Sequence, residues 1–358
     1  PAPDPDMLDL AVGTIASARR PVVVAGRGAS TPDAREALLR LAGRLGAPVA
    51  TTLKAKDLFR GERFDLGFFG SLAHAVALDT IQASDCVIVF GGSLNKWTTA
   101  EGSLLAGKRV VQVDVDRDAL GRSARVDVAI LGDAAATADA MVELLDEAST
   151  EPTGFASHAL AERLAAVREE YTDHSTSATV DIRTALDRID ARFPADRNLV
   201  FDAGRWVFKG FTMLHVPEPS AYVHSLNFGA IGLGMGTAIG AAFGAPERPT
   251  LMVTGDGGFM LGGLAEFNTA VRHGLDIVVV VFNDRCYGSE LMFFREKGID
   301  PAIASFDWPD LAAVATALGG EGRSVRNLDE LDSALDAIDR RTGPMLLDIA
   351  IDPENVPL

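Results

Sequence analysis

The sequence predicts an α/β protein with two doubly wound parallel sheets. Short apolar runs of strand length alternate with stretches whose apolar residues recur at helical spacing, an order typical of parallel sheets with crossover helices. Several runs end directly in glycine or in an acidic residue. In a parallel sheet these ends share one edge, where such folds bind ligands. At 358 residues the chain is long enough for two domains.

The first predicted domain, residues 1–147, is Rossmann-like. Its predicted elements are strands over 21–26, 48–51, 86–90, 110–115 and 128–131 and a helix over 33–45. The turn Gly26-Arg27-Gly28 lacks the third glycine of a dinucleotide-binding fingerprint, which favours a tight turn over a phosphate cradle. The start of the chain, residues 1–6, is rich in proline and resembles an interdomain linker. We therefore expect the chain to be the carboxyl-terminal part of a longer protein.

Residues 148–174 are interpreted as a linker and a leading helix over 159–170, and residues 175–358 as the second domain. A helix is predicted over 180–193 and a strand over 199–202, which closes with Ala203-Gly204. For Asp202 two interpretations stay open, a ligand-binding role and a simple turn or helix cap.

Composition excludes several classes of protein. The net charge of −17 argues against general nucleic-acid binding, which needs basic surfaces. No apolar stretch is long enough for a membrane span, and no signal peptide opens the chain. The two cysteines, Cys86 and Cys286, lie in or beside apolar runs, which indicates a reducing compartment without disulfides. We expect a cytoplasmic protein.

Residues 250–288 contain the most informative pattern, a strand, a turn, a helix and a second strand. The first apolar run ends in four residues, Gly255, Asp256, Gly257 and Gly258, and the second ends in Asn283-Asp284. Glycines let backbone N–H groups approach an anion at a helix start. Two carboxylates beside a phosphate site suggest a hard divalent cation, Mg²⁺. An ordinary βαβ unit with glycine turns is the alternative.

This pattern resembles the diphosphate-binding motif of thiamine-diphosphate enzymes, in which a Gly-Asp-Gly turn is followed by an Asn-Asn or Asn-Asp pair. The resemblance implies three metal ligands, namely Asp256, Asp284 and the main-chain carbonyl of Cys286. Tyr287 and Gly288 also fit the family. Asp202 and Gly204 match the Asp-x-Gly with which the pyrophosphate-binding domain of the family opens.

A glycine-rich segment before this motif matches another part of the family. Its residues Gly229, Ala230, Ile231 and Gly232 match a Gly-x-Met-Gly pattern, and the resemblance assigns to Ile231 the support of the bent cofactor between its two rings. The usual proline is replaced by Gly236, which suggests a divergent subfamily. A glycine stripe that packs helices together is the alternative.

The first domain resembles the central domain of acetohydroxyacid synthases, in residues 66–70 and 85–92. In flavin-binding members the second of these segments leads into an arginine-containing stretch that helps to hold FAD. Here it leads into residues 93–99, which contain no arginine. We therefore expect no FAD, with a purely structural domain as the simpler interpretation.

The resemblance implies a thiamine-diphosphate- and Mg²⁺-dependent carboligase or decarboxylase that acts on a 2-oxo acid, is acetolactate synthase-like and forms a homodimer or homotetramer. The helix that contains Glu290 is expected to line the substrate side. The alternatives are a lyase or hydrolase on another carbonyl compound and a non-catalytic nucleotide- or flavin-binding protein. The activating glutamate of the family lies in an amino-terminal domain, and no residue here matches it. We therefore expect this fragment alone to be inactive.

Overall fold

The structure, a computed structural model, describes residues 1–357 as two compact units. The first unit consists of residues 1–169 and 218–220, and the second contains the other described residues. A six-stranded sheet runs through each unit, and every strand pair in both sheets is parallel. The predicted α/β class with two parallel sheets is confirmed.

The first unit contains eleven main elements, five helices and six strands. They are α1 (Pro5–Ala16), β1 (Pro21–Ala25), α2 (Pro32–Leu45), β2 (Val49–Thr51), β3 (Asp65–Phe68), α3 (Ala75–Ala83), β4 (Cys86–Phe90), β5 (Arg109–Asp114), β6 (Val128–Leu131), α4 (Ala134–Glu147) and α5 (His158–Ala165). The strand order is β3-β2-β1-β4-β5-β6, the doubly wound order with its switch between β1 and β4.

Backbone packing fills the switch point of the first sheet. The N–H of Gly28 donates to the carbonyl of Gly91 at 3.0 Å, and a Cβ on Gly28 would lie 2.8 Å from Cα of Gly91. Glycine is required because the two turns meet backbone to backbone. The Gly26 to Gly28 turn therefore serves close packing in this structure.

Three local expectations for the first unit need correction. The proline-rich start is partly helical, since α1 begins at Pro5 and the side chain of Asp4 accepts from the N–H of Met7, a capping arrangement that proline in the first turn favours. Residues 66–70, which match a glycine-rich loop of the family in the resemblance, overlap strand β3. The helix predicted over 159–170 ends at Ala165.

In the second unit at least one helix lies between each two successive strands. Its elements are α6 (Ile182–Arg192), β7 (Asn198–Phe201), α7 (Val207–Met213), β8 (Tyr222–His224), α8 (Gly234–Gly244), β9 (Thr250–Gly255), α9 (Asp256–Gly258), α10 (Leu264–Arg272), β10 (Ile277–Asn283), α11 (Gly288–Glu296), α12 (Leu311–Ala317), β11 (Glu321–Val325), α13 (Leu328–Ile338) and β12 (Met345–Ala350). The strand order is β11-β12-β10-β9-β7-β8.

The chain changes direction in the second sheet between β7 and β9. From β7 it adds β8 on one side and then crosses to β9 on the other side. The carboxyl ends of β7 and β9 therefore border the crevice in which doubly wound sheets bind ligands. Residues 250–254 of β9 and all residues of β10 are buried. Burial on both faces of the sheet explains why these strands appear as nearly continuous apolar runs.

The helical segment after β9 is not a uniform α-helix. Residues of α9 pass directly into one π-helical turn, Phe259–Gly263, and then into α10. Such turns contain one residue more than an α-helical turn and are frequent at functional sites. The buried Phe259 and Phe267 pack edge to face across this turn, so the turn is fixed to the core.

Within residues 1–357 no helix combines the length and the apolar character that a membrane span requires. Both cysteines are buried free thiols.

Candidate active site

The two acidic residues of the central motif lie at adjacent strand ends. In the register of β9 and β10, Phe282 is opposite Gly255, so Asp256 and Asp284 follow neighbouring strands at one edge. Asp256 is only 1% exposed. Burial and the nearby Asp284 carboxylate raise the pKa of Asp256 to about 7, and burial also raises the pKa of Asp284. The sheet thus brings two carboxylates together in a poorly solvated place.

One cationic side chain lies beside this pair. The guanidinium of Arg205 lowers the pKa of Asp284, against the larger effect of burial. It also donates to the carbonyls of Pro353 and Val356 at 3.2 Å each. A Cβ on Gly288 would lie 2.8 Å from Oδ2 of Asp284 and 3.1 Å from Cδ of Arg205. Glycine at position 288 therefore leaves room for both side chains.

The loop after β10 determines which atoms face the pair. Arg285 has a φ of +57°, and the N–H of Cys286 donates to Oδ1 of Asp284 at 3.1 Å. Burial and the negative charge of Asp284 raise the pKa of the Cys286 thiol, so that the thiol stays protonated. The resemblance assigns the role of metal ligand to the main-chain carbonyl of Cys286, not to its thiol.

Asn283 is engaged within the sheet. Its Nδ2 donates to Oδ1 of the buried Asp348 at 2.8 Å, and its Oδ1 accepts from the N–H of Arg285 at 3.2 Å. These bonds occupy the Asn283 side chain, which leaves Asp284 as the member of the pair that faces Asp256.

The glycines of the turn permit close contacts with two sides of the site. A Cβ on Gly257 would lie 2.5 Å from the ring of Tyr287, and a Cβ on Gly258 would lie 2.7 Å from Oδ2 of Asp202. Gly255 ends β9 and Gly258 ends α9. The α9 backbone can therefore start the helix with buried N–H groups at the sheet edge, where an anion would be stabilised.

Asp202 connects the first strand of the unit to the glycine-rich segment. Its carboxylate accepts from the N–H of Gly232 at 2.8 Å and from the hydroxyls of Thr254 and Ser225 at 3.1 Å each. It also accepts from the N–H of Ala203. Asp202 is fully buried, and these bonds satisfy its side-chain oxygens inside the protein.

The other candidate residues surround this network. Gly229 has a φ of +75° and Gly204 a φ of +158°, and a Cβ on Gly204 would overlap the indole nitrogen of Trp206. Ala230 and Ile231 are half-buried in the segment before α8. The structure thus places all the candidates in the second unit, on elements that end at or follow one edge of its sheet.

Sequence reasoning missed several residues that contact the site. Trp308 donates from Nε1 to Oδ2 of Asp256 at 2.8 Å, Arg205 lies beside Asp284, and Thr254 binds Asp202. Thr254 could have been found, because it is the polar residue that closes the apolar run 251–253. The positions of Trp308 and Arg205 depend on contacts distant in sequence, which no local pattern reveals.

The donor set fits a hard cation. Two buried carboxylates lie close enough for one to raise the pKa of the other, and a divalent cation would remove that repulsion. Within residues 1–357 no cluster of three or more His, Cys, Asp or Glu side chains could hold a metal. A cation here would therefore need other oxygen ligands, such as a carbonyl and phosphate oxygens.

Comparison with known families agrees with this geometry. Residues 8–141 match the family described as "Thiamine pyrophosphate enzyme, central domain", and residues 202–349 match "Thiamine pyrophosphate enzyme, C-terminal TPP binding domain". The chain belongs to the thiamine pyrophosphate enzyme family. Thiamine pyrophosphate is another name for thiamine diphosphate, and the second match contains the acidic pair, the Asp202 network and Trp308.

Curated relatives of this family differ in their activities. The chain is 28% identical to the probable 2-ketoarginine decarboxylase of Pseudomonas aeruginosa, over 97% of this chain and 61% of the relative. It is 28% identical to the sulfoacetaldehyde acetyltransferase of Alcaligenes xylosoxydans, over 92% and 59%. It is 25% identical to the large subunit of acetolactate synthase isozyme 2 of Escherichia coli, over 96% and 62%. The chain spans about three fifths of the length of these relatives.

A solved structure confirms the fold of the thiamine pyrophosphate enzymes. Benzoylformate decarboxylase from Polynucleobacter necessarius superposes with a TM-score of 0.79 and 20% sequence identity, over 100% of this chain and 66% of that chain. At this level of identity the likeness extends to the fold alone.

Proposed function

We propose that this protein is a thiamine-diphosphate- and Mg²⁺-dependent enzyme that decarboxylates a 2-oxo acid or joins it to a second carbonyl compound, as acetolactate synthase does. The observation that carries the proposal is the buried pair Asp256 and Asp284, within the segment that matches the thiamine pyrophosphate binding domain. Relatives that are named as a decarboxylase and as acetolactate synthases support the reaction class.

In this proposal the chain binds and orients the cofactor. Asp256, Asp284 and the carbonyl of Cys286 hold Mg²⁺, which also binds the diphosphate. The N–H groups at the start of α9, from Gly257 and Gly258, stabilise the negative charge of the diphosphate. When bound, thiamine diphosphate would supply a nucleophilic carbanion and an acceptor for the electron pair released with CO₂.

Other residues of the site would keep this arrangement in place. Asp202 binds the N–H of Gly232 and so holds the segment that contains Ile231, the residue proposed to support the bent cofactor. Tyr287 packs against the glycine turn and helps to exclude water from the diphosphate end. We propose a homodimer or homotetramer as the working assembly.

Differential scanning fluorimetry with thiamine diphosphate, with and without Mg²⁺, tests the proposal. We expect a Mg²⁺-dependent rise in the melting temperature, because a ligand that binds only the folded state stabilises it. Asp256→Asn should lose that rise. Asp9→Asn is the matched control, because Asp9 is an exposed residue of α1 in the first unit. A wild-type protein that shows no Mg²⁺-dependent shift at millimolar cofactor would contradict the proposal. Release of CO₂ from a panel of 2-oxo acids, measured with the amino-terminal domain of the family supplied because no residue of this chain matches the activating glutamate, then identifies the substrate.

A further inference from the structure

One short segment of the second unit contacts both loops that contain the acidic pair. This segment, residues 304–308, is called the strap. Along its first half it pairs with the loop after β10. The N–H of Tyr287 donates to the carbonyl of Ala304 at 2.9 Å, and the N–H of Phe306 donates to the carbonyl of Arg285 at 2.8 Å. Cys286 and Ser305 form an antiparallel bridge between these bonds.

The other end of the strap reaches the loop after β9. Nε1 of Trp308 donates to Oδ2 of Asp256 at 2.8 Å, a bond between residues 52 positions apart. Because the Asp256 carboxylate is buried, this bond is shielded from competing water and is stronger than a surface bond would be.

Aromatic packing fixes the direction of the indole. Trp308 stacks on Phe306, with ring centroids 4.5 Å apart and an interplanar angle of 18°. Phe306 in turn packs edge to face against Tyr287 at 4.7 Å. The indole N–H therefore has little freedom to turn away from Asp256, and the same stack contacts the loop that contains Asp284.

We propose that Trp308 is a positioning residue of the metal site, which orients the Asp256 carboxylate for the cation through its indole N–H. This inference rests on the proposed function, because it concerns the same Mg²⁺. Partners that orient a metal ligand typically change metal affinity by about 10–100-fold when they are removed. Trp308→Phe keeps an aromatic ring for the stack and removes only the N–H donor.

Calorimetric titration of thiamine diphosphate into the full protein at several fixed Mg²⁺ concentrations tests the inference, because the Mg²⁺ dependence of the cofactor affinity gives the apparent affinity for Mg²⁺. We expect Trp308→Phe to bind Mg²⁺ about tenfold more weakly than wild type, with a far-UV spectrum and a metal-free melting temperature like those of wild type. Trp97→Phe is the matched control, since Trp97 is 60% exposed and lies in the first unit. Its Mg²⁺ affinity should equal that of wild type.

The outcomes separate this inference from the proposed function. If wild type binds Mg²⁺ and Asp256→Asn does not, the proposed site holds, and an affinity in Trp308→Phe within twofold of wild type overturns the role of Trp308 alone. If wild type does not bind Mg²⁺, both fail.

A second measurement covers the case in which Trp308→Phe does not fold. The chain has three tryptophans, so wild-type protein labelled with 5-fluorotryptophan gives three fluorine resonances. Trp97→Phe and Trp206→Phe assign two of them. Addition of Mg²⁺ with thiamine diphosphate should shift the third, and an unchanged Trp308 resonance overturns the inference.

Discussion

The carboxylate of Asp202 accepts a hydrogen bond from the backbone N–H of Gly232 at 2.8 Å. This bond joins the end of β7 to the segment before α8, thirty residues later in the chain. Thr254, near the end of β9, donates to the same carboxylate oxygen at 3.1 Å. Asp202 therefore holds together three elements that meet at the switch point of the second sheet.

Replacement of Asp202 tests this role. Asp202→Ala leaves several buried donors without an acceptor, which should lower the free energy of unfolding by about 2–4 kcal/mol. Asp202→Asn keeps one side-chain oxygen and should lose less. Urea denaturation measures both, with Asp9→Ala as the exposed control. A loss below about 0.5 kcal/mol in Asp202→Ala would speak against the network, because that is the range of ordinary surface substitutions.

The geometry of the acidic pair predicts which side chains bind the cation. Asp256→Ala should abolish Mg²⁺-dependent binding of thiamine diphosphate, and Asp284→Ala should weaken it severely, because each removes a proposed oxygen ligand. Asn283→Ala should retain most of the affinity, since the Asn283 side chain is bound to Asp348. Isothermal titration calorimetry ranks the three variants. If Asn283→Ala loses binding while Asp284→Ala keeps it, the ligand assignment is shifted by one residue.

The absence of arginine from residues 93–99 predicts a colourless protein. Flavin binding depends on contacts that the protein makes with the cofactor, and bound flavins absorb near roughly 450 nm. An absorption spectrum of the purified protein, followed by denaturation and chromatography of any released chromophore, measures this directly. About one equivalent of FAD per chain would show that other residues of the first unit replace the missing arginine.

Two glycine substitutions should have opposite effects on stability. One is at the contact between the π turn and the glycine-rich segment, and the other is at an open position of α1. A Cβ on Gly262 would overlap the carbonyl oxygen of Gly232, so Gly262→Ala should cost about 1–3 kcal/mol by overpacking. Gly13 lies inside α1 and its Cβ would meet open space. Gly13→Ala should therefore stabilise the protein by about 0.5–1 kcal/mol. Thermal denaturation checks both signs, and a stabilising Gly262→Ala would rule out the close contact.

Asp65 predicts a pH dependence of stability in the first unit. Burial, together with the charges of Asp57 and Glu62, raises the pKa of Asp65 to about 6 in spite of its bond from the N–H of Gly67. The folded state thus binds this proton more tightly than the unfolded chain, whose aspartates titrate near about 3.9. The contribution of this group to stability is complete below about pH 4 and is lost as the pH rises through about 6.

Asp65→Asn removes that titration while its side-chain oxygen can still accept from Gly67. The stability of the variant relative to wild type should therefore increase between pH 4.5 and 7.5, by about 1–2 kcal/mol, because the half-buried side chain is partly solvated. Asp9→Asn, at an exposed position of α1, serves as the control and should show no such trend. A constant difference between Asp65→Asn and wild type would exclude the raised pKa.

The sequence predicts the centre of each sheet better than its edges. Strands such as β4 and β10 are buried on both faces and appear as continuous apolar runs. The strands β3, β8 and β11 were not predicted, and each lies at an edge of its sheet. Edge strands are partly exposed and can be polar, as Glu321–Val325 is, so they have no distinctive pattern. The prediction also omits β12, although its buried apolar residues would have indicated a strand.

The residues of the candidate site were also predicted only in part. Asp256, Asp284 and Asp202 were found because they follow apolar runs, and the parallel sheet brings such ends together. Trp308 could not be found in this way, since its bond to Asp256 depends on how residues 297–310 return across the sheet edge. The π turn also escaped prediction, because its apolar and glycine residues fit an α-helix equally well.

The π turn at Phe259–Gly263 affects two properties of the helical segment. One is the side of the helix that faces the core, and the other is the direction in which its first N–H groups point. A regular helix would fix both together. Successive residues of an α-helix are rotated by about 100°, so the side of the helix that faces the core would also determine where its first N–H groups point. The extra residue adds about one such rotation between Gly258 and Phe267. Removal of the exposed Leu261 would restore a regular helix and rotate the first turn away from Asp202 while the core face stayed in place. The number of residues in this turn therefore sets how far the first helical turn is rotated relative to the side of the helix that faces the core. The identity of any side chain in the turn matters less.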